Sequence, residues 1–254
     1  MSKAKVGLQM YTLRDETAKD FLGTLREVAK LGYQGVEFAG YGGMPAADLR
    51  AELDGLGLVS LGSHVPLDRM LEAAEEEIEF NLTLGSKYLI VPWLNENRYA
   101  DEAAIRETIK DLESIGKKCA ERGLVFCYHN HSFELEKSVG GQVMLDAIFS
   151  GVSPEYLSVE LDACWVHNAG ANPIAYIEKY SGRIPLVHFK DLNREGGNVQ
   201  TVELGRGEVD LIGIAKAASE AGTEWLIVEQ DNCQSPPLVS VGNSIEWMRQ
   251  QGLR

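Results

Sequence analysis

The sequence predicts an α/β chain closed as a single (β/α)₈ barrel over residues 1–254. Three observations predict it. Short aliphatic or β-branched runs alternate with amphipathic stretches of helical period, the pattern of a parallel sheet with covering helices. Eight such runs fit within 254 residues, close to the ordinary length of one closed barrel. Glycines mark the places where helical stretches hand over to the next run, and no Gly-x-Gly-x-x-Gly follows the first run, which counts against an open dinucleotide-binding sheet.

The first run is 6–11. The stretch 17–31 puts Phe21, Leu25, Val28 and Ala29 on one helical face, and Gly32 ends it before the run 35–38. Pro45 suits a first helical turn, Gly57 closes that helix, and 58–62 is the third run. The acidic stretch 72–79 reads as the solvated face of a helix, followed by Gly85 and the run 88–92. In 101–122, Ile105, Ile109, Leu112, Ile115 and Cys119 share a face with charge opposite, and Gly123 precedes the run 124–128. The last three runs are 157–162, 184–190 and 225–229, with Pro173 at a first-turn position and Gly222 before the final run. Short apolar runs alone do not separate strands from buried helix pieces. The glycines decide, because a left-handed residue is what closes a helix in an αβ loop.

The formal charge is −14, from 38 acidic and 24 basic residues. Such a surface repels phosphate backbones and anionic lipid, and no basic patch offsets it, so neither nucleic acid nor membrane is expected as a partner. A phosphorylated small molecule stays open, since Arg194, Arg206 and the loop 205–207 could bind it. Cys119, Cys127, Cys164 and Cys233 lack metal or redox spacing and are expected to be buried reduced thiols. The first residues lack the apolar region of a signal peptide, and no run reaches spanning length, so a cytoplasmic location is the expectation. A homo-oligomer is compatible with the fold class.

In a barrel, chemistry gathers at the C-terminal ends of the strands. All five histidines (64, 129, 131, 167 and 188) lie in or just after predicted strand ends, and none on a predicted helix face. Carboxylates join them: Glu37, Glu134, Glu160, Asp162, Asp191, Glu229 and Asp231. Several carboxylates in one partly dry mouth repel each other and take up protons, a cost that a divalent cation removes. Mixed carboxylate and imidazole ligation suits Mn²⁺ or Zn²⁺ best, with Co²⁺, Fe²⁺ or Mg²⁺ admissible. Each residue also has a plain structural role open to it. Asp162 could cap the next helix. His188 could be a satisfied core histidine, and Lys190 and Asp191 an ordinary ion pair. Glu229 follows Trp-Leu-Ile-Val, where an unpaired carboxylate would be costly. Trp93 and Trp165 could be core, barrel lid or sugar-stacking platforms.

These residues resemble the xylose isomerase-like superfamily of TIM-barrel sugar phosphate isomerases and epimerases. The resemblance spans the chain: Gly7-Leu8-Gln9-Met10-Tyr11-Thr12-Leu13-Arg14, Gly35-Val36-Glu37, Tyr128-His129-Asn130-His131, Glu160-Leu161-Asp162-Ala163-Cys164-Trp165, Val187-His188-Phe189-Lys190-Asp191, Gly205-Arg206-Gly207-Glu208-Val209-Asp210 and Val228-Glu229-Gln230-Asp231. It implies metal ligands at Asp162, His188 and Glu229. Relatives have a glutamate at the position of His129, so His129 ranks first as fourth ligand, with Glu160 or Glu134 as replacements. The same resemblance suggests His131 as an acid/base group, and it sets Trp165 where some epimerases carry a substrate-binding histidine.

The expected function is a metal-dependent sugar isomerase or epimerase that abstracts a proton α to a carbonyl and stabilises an enediolate. Glu229 could serve as ligand and base, Glu134 or His131 could act from the opposite face, and Lys190 could polarise an oxygen while Asp191 holds it. His64, Glu37, Trp165 and Arg194 are the substrate-binding candidates. The alternative is a lyase or dehydratase acting on a keto-inositol or a 3-keto-glycoside. A metal-dependent endonuclease of abasic DNA and a non-catalytic sugar-binding barrel fit the charge and the site less well.

Overall fold

The computed structural model describes residues 4–253. Eight parallel strands close the barrel: β1 (Lys5–Gln9), β2 (Gly35–Phe38), β3 (Val59–His64), β4 (Tyr88–Val91), β5 (Val125–His129), β6 (Ser158–Asp162), β7 (Leu186–Phe189) and β8 (Trp225–Val228). Each pairs with its sequence neighbours, and β1 pairs with β8 through Lys5↔Trp225 to Leu8↔Val228. A helix follows every strand, from Phe21–Leu31 after β1 to Pro237–Gln250 after β8. No helix among the described residues is long and apolar enough to cross a membrane.

Side chains alternate between the bore and the helix layer at period two. The outward set joins the large core between sheet and helices, with Val36, Leu89, Val159, Val187 and Val228 all buried. Inward, Leu61, Tyr88, Ile90, Cys127, Leu186, Trp225 and Ile227 form a separate apolar plug. Trp225 fills that bore only because β2 has no side chain at Gly35, where a Cβ would stand 2.9 Å from the indole. Two residues further along, the alternation puts polar groups in the bore. The same rule that built the plug therefore builds the site above it.

Element boundaries moved where local capping overrides periodicity. The helical stretch expected over 17–31 breaks, because the Asp20 carboxylate accepts the Gly23 N–H at 2.8 Å and starts Phe21–Leu31 afresh. Asp101 likewise lies outside its helix as the N-cap. Pro45 is an N-cap residue and not a first-turn residue, whereas Pro173 does begin its helix. The acidic stretch 72–79 is helical, but Glu77 is buried and accepts from Arg69 Nε at 2.7 Å. His167 lies in the short helix Ala163–Asn168, contrary to the expectation that no histidine would be helical. Cys119, Cys127 and Cys164 are buried free thiols, while Cys233, in the loop after β8, is only partly covered. Two hairpins interrupt the pattern, Ser138–Val139 with Gln142–Val143 and Asp191–Glu195 with Asn198–Val202.

Candidate metal centre and active site

Four strand ends bring His129, Asp162, His188 and Glu229 together, and one donor atom from each lies within 4.8 Å of the others. Register does this: Asp162 is level with His188 across β6 and β7. Asn130 ties the next pair of strands, donating to the Asp162 carbonyl at 3.3 Å and accepting the Asp162 N–H at 3.0 Å. Asp162 divides its two oxygens. Oδ1 accepts the Trp165 N–H at 2.9 Å and caps the helix, while Oδ2 faces the bore.

His129 shows most directly what the group can hold. Its Nδ1 lies 3.0 Å from the Pro92 carbonyl, which can only accept, so Nδ1 carries the hydrogen. Nε2 then either carries a second proton or offers a lone pair. It faces Asp162 Oδ2 at 3.3 Å; Nε2 is buried without a hydrogen-bond partner, while Oδ2 also has Lys190 Nζ at 3.0 Å. A lone pair opposed to a carboxylate oxygen is stable only with a cation or a proton between them. Two imidazoles and two carboxylates around one point suit a borderline divalent ion such as Zn²⁺ or Mn²⁺. The donor set fits a resident divalent metal.

Lys190 stands beside these donors, 2.8 Å from Glu229 Oε2, 3.0 Å from Asp162 Oδ2 and 3.2 Å from Asp231 Oδ2. Burial opposes its charge, but these three carboxylates hold the ammonium well above the ordinary lysine range. Burial likewise opposes the charge on Asp162 and Glu229, and Lys190 with the neighbouring imidazoles pulls both well down. Asp191 does not hold Lys190 as expected. Adjacent residues on a strand point to opposite sides, and the Asp191 carboxylate instead accepts the N–H groups of Leu192, Gly205, Gly207 and Val209 at 2.8–3.1 Å. That uses up the amides of the loop 205–207. Arg206 pairs through Nε with Glu203 and Arg194 with Glu208, both arginines lying at the exposed surface.

Beneath the four donors lies a second polar layer. Glu37 Oε2 accepts from Gln9 Nε2 at 2.6 Å and lies 2.8 Å from His188 Nε2 and 3.0 Å from His64 Nε2. Glu160 Oε2 lies 2.8 Å from His64 Nε2. Burial works against charge on both imidazoles, but Glu37 and Glu160 raise them, His64 to about 9. This layer orients His188: with Nε2 donating to Glu37, Nδ1 is presented to Glu229 at 2.7 Å and to the bore.

Above the donors the bore opens into a cavity of about 570 Å³. His64, His129, His131, Lys190, Glu229 and Asp231 face it. Burial, with His129 and Lys190 close by, lowers the His131 imidazole to about 3, so the ring is neutral and resists protonation. Glu134 is not on the cavity wall. It is buried, bonded by Tyr128 Oη at 2.7 Å and the His131 N–H at 2.8 Å, and burial raises its carboxyl to about 7. Trp165 lies behind Lys190, whose ammonium is 5.5 Å from its ring centroid. Arg194 is exposed on the hairpin and takes no part in the cavity, and His167 bonds Glu208 at 3.0 Å. Gln9 had no assigned role in the sequence, and Asp231 stood only among the strand-end carboxylates, although it sits two residues beyond the marked Glu229. Trp93, one of the two stacking candidates in the sequence, stands at the rim of the cavity together with Tyr11, which had no assigned role.

The sequence matches the family described as xylose isomerase-like TIM barrel over residues 25–251. The chain belongs to that family. Among curated proteins it is similar to the inosose dehydratase of Bacillus licheniformis, 25% identical over 258 residues, covering 88% of this chain and 83% of that enzyme. Among solved structures it resembles a sugar phosphate isomerase/epimerase from Parabacteroides distasonis, with a TM-score of 0.85 at 22% identity over 100% of this chain and 96% of the other. The IOLI protein with a bound zinc atom superposes with a TM-score of 0.78 at 17% identity, over 98% and 96% of the two chains. These likenesses to solved structures establish the fold. Kinship and site together mark the chain as an enzyme built to use a divalent metal.

Proposed function

We propose that this chain catalyses an elimination on a cyclic keto-polyol, a keto-inositol or a keto-sugar, in which a proton α to the carbonyl and an oxygen substituent β to it are lost. The observation that carries a metal-assisted reaction is the convergence of one donor each from His129, Asp162, His188 and Glu229, with His129 Nε2 3.3 Å from Asp162 Oδ2 and otherwise unpartnered. A divalent ion held by His129, Asp162, His188 and Glu229 would act as a Lewis acid toward the substrate's carbonyl oxygen. Lys190 supplies a fixed positive charge next to that oxygen, which favours negative charge developing there. His131 and Glu229, which both face the cavity, are the two candidates to take the α proton. The electron pair left on the α carbon forms the double bond, and the β oxygen leaves with a proton as water or an alcohol. The burial around the bore keeps competing water off these groups.

Two observations favour elimination of an unphosphorylated substrate over the isomerase expectation. The relative aligned over most of both chains is named a dehydratase. Arg194, Arg206 and the loop amides singled out for a phosphate lie off the cavity, and Arg69 on its wall pairs with Glu76 and Glu77. Isomerisation remains the second reading, favoured by the P. distasonis likeness. Mass spectrometry separates them. Metal-loaded enzyme, incubated with 2-keto-myo-inositol or a 3-keto-glucoside in heavy water, should give a product lighter by water or by the aglycone. Deuterium uptake with every substrate atom conserved would overturn elimination in favour of isomerisation.

A further inference from the structure

Elimination uses the polar floor of the cavity and leaves its outer wall unexplained. That wall comes from the segments after β1 to β4: Tyr11, Val65, Pro66, Pro92 and Trp93 form one stretch of it, and Tyr41, Arg69 and Glu77 another. Among the described residues, the two large aromatic side chains exposed to solvent are Tyr11 at 44% and Trp93 at 47%, and both stand on this wall. Chance exposure would not bring both to one cavity. Tyr11 is also held in place. The Arg14 guanidinium lies 4.4 Å from its ring centroid and donates to the Tyr11 carbonyl at 3.0 Å. A fixed, exposed ring beside an active site is a stacking platform.

Size points the same way. A cavity of about 150 Å³ holds one benzene ring. Even at twice that for a ring carrying a full set of hydroxyls, about half of the 570 Å³ stays unfilled. The wall is also wrong for a bare polyol. Val65, Pro66 and the Pro92 ring offer no side-chain hydrogen bond, the Pro92 carbonyl is already taken by His129, and Tyr41, Arg69 and Glu77 on the other stretch are bonded among themselves and to Glu76. Hydroxyls pressed there would lose water without replacement.

We propose that this wall is a subsite for a ring-sized aglycone, so that the preferred substrate is a keto-glycoside and not a free cyclitol. The inference rests on the elimination proposed above and deepens it. With a ketone two carbons from the anomeric centre, the C–H between them breaks and its electrons form a double bond to the anomeric carbon. The bond from that carbon to the aglycone oxygen breaks with its electron pair, and the oxygen leaves protonated as an alcohol or phenol. No further reactant is needed.

Binding tests the subsite without turnover. Calorimetric titration of the metal-loaded chain with methyl β-D-glucoside, phenyl β-D-glucoside and cellobiose compares a small aglycone with two ring-sized ones. At least one ring-sized ligand should bind about tenfold more tightly than the methyl glycoside. Trp93→Ala should erase that preference and leave methyl glucoside affinity unchanged, and Tyr11→Leu should reduce it. Preference for the phenyl ligand assigns an aromatic occupant, and preference for cellobiose a second sugar. Equal binding of all three, or a preference that survives Trp93→Ala, overturns the proposal. Elimination from 2-keto-myo-inositol alongside equal binding would sink the subsite and keep the reaction. Ring preference with no elimination from any ketone would do the reverse.

Discussion

Replacing Lys190 by methionine tests the electrostatic core of the site. Methionine keeps nearly the length of the side chain and removes its charge. Lys190 is 1% exposed, and its ammonium lies within 3.2 Å of carboxylate oxygens of Asp162, Glu229 and Asp231. In the variant those three groups face one another without their shared counter-charge. Removing one member of a buried ion pair costs about 3–5 kcal/mol. For a chain of this length each kcal/mol moves the melting temperature by about 2–4 °C. After chelator treatment, Lys190→Met should therefore melt roughly 10 °C below the chelator-treated parent. A divalent ion replaces the missing charge and binds only the folded chain. At a hundredfold excess over its Kd it returns about 2.7 kcal/mol. The ammonium competes for two of the same carboxylates, so the variant should also bind metal more tightly than the parent while turning over on the order of 10² more slowly. Scanning fluorimetry across a Zn²⁺ or Mn²⁺ titration reads all of this except turnover. A variant that melts within about 2 °C of the parent, with no larger gain from metal, would refute the reasoning.

Other consequences follow from single atoms. His129→Ala removes one of the four donors, and the metal retained per chain after dialysis should fall markedly while the apolar core stays intact; elemental analysis with a melting curve checks both. Glu37→Gln puts an amide where the Nε2–H of His188 is accepted, which unsettles the tautomer that presents Nδ1, and a competing chelator should show metal affinity about 10–100-fold weaker. Glu134 gives a pH signature. Burial raises its carboxyl from the ordinary 4.5 to about 7, so between those values the folded chain holds a proton that the unfolded chain releases. Its contribution is fully present below 4.5 and is lost as pH rises through 7, about 3 kcal/mol in all. Glu134→Gln should flatten that part of the stability profile in urea titrations, and an unchanged slope would show that Glu134 is not its source.

The barrel was legible because two periods and a set of glycines agree. Gly32 and Gly222 close their helices with φ of 90° and 83°, where the punctuation placed them. What failed to show was local competition for hydrogen bonds. Asp20 looked like one more polar residue in a helical stretch, yet its carboxylate starts the helix. The hairpin Asp191–Glu195 with Asn198–Val202 was signalled by Gly196-Gly197, but its strands are too polar to stand out as apolar runs. In the site, the ligand candidates were legible because they end strands. The partner of Lys190 was not, since proximity in sequence suggested Asp191 where strand alternation forbids it. The companion of Glu229 at Asp231 obeys that alternation and could have been found by it.

Asp162 shows why capping and ligation were never competing readings. A residue that ends a barrel strand also precedes the next helix, so its side chain reaches both the helix N-terminus and the mouth of the bore. Oδ1 accepts the Trp165 N–H, which fixes the carboxylate's rotation. Oδ2 is thereby aimed at Lys190 and His129 and has no freedom to turn away. His188 divides in the same manner, with Nε2 held by Glu37 and Nδ1 turned toward Glu229. In each case the structural bond is what makes the functional atom point one way. A substitution that spares the functional atom but frees its twin should therefore cost metal binding nearly as much as removing the ligand itself.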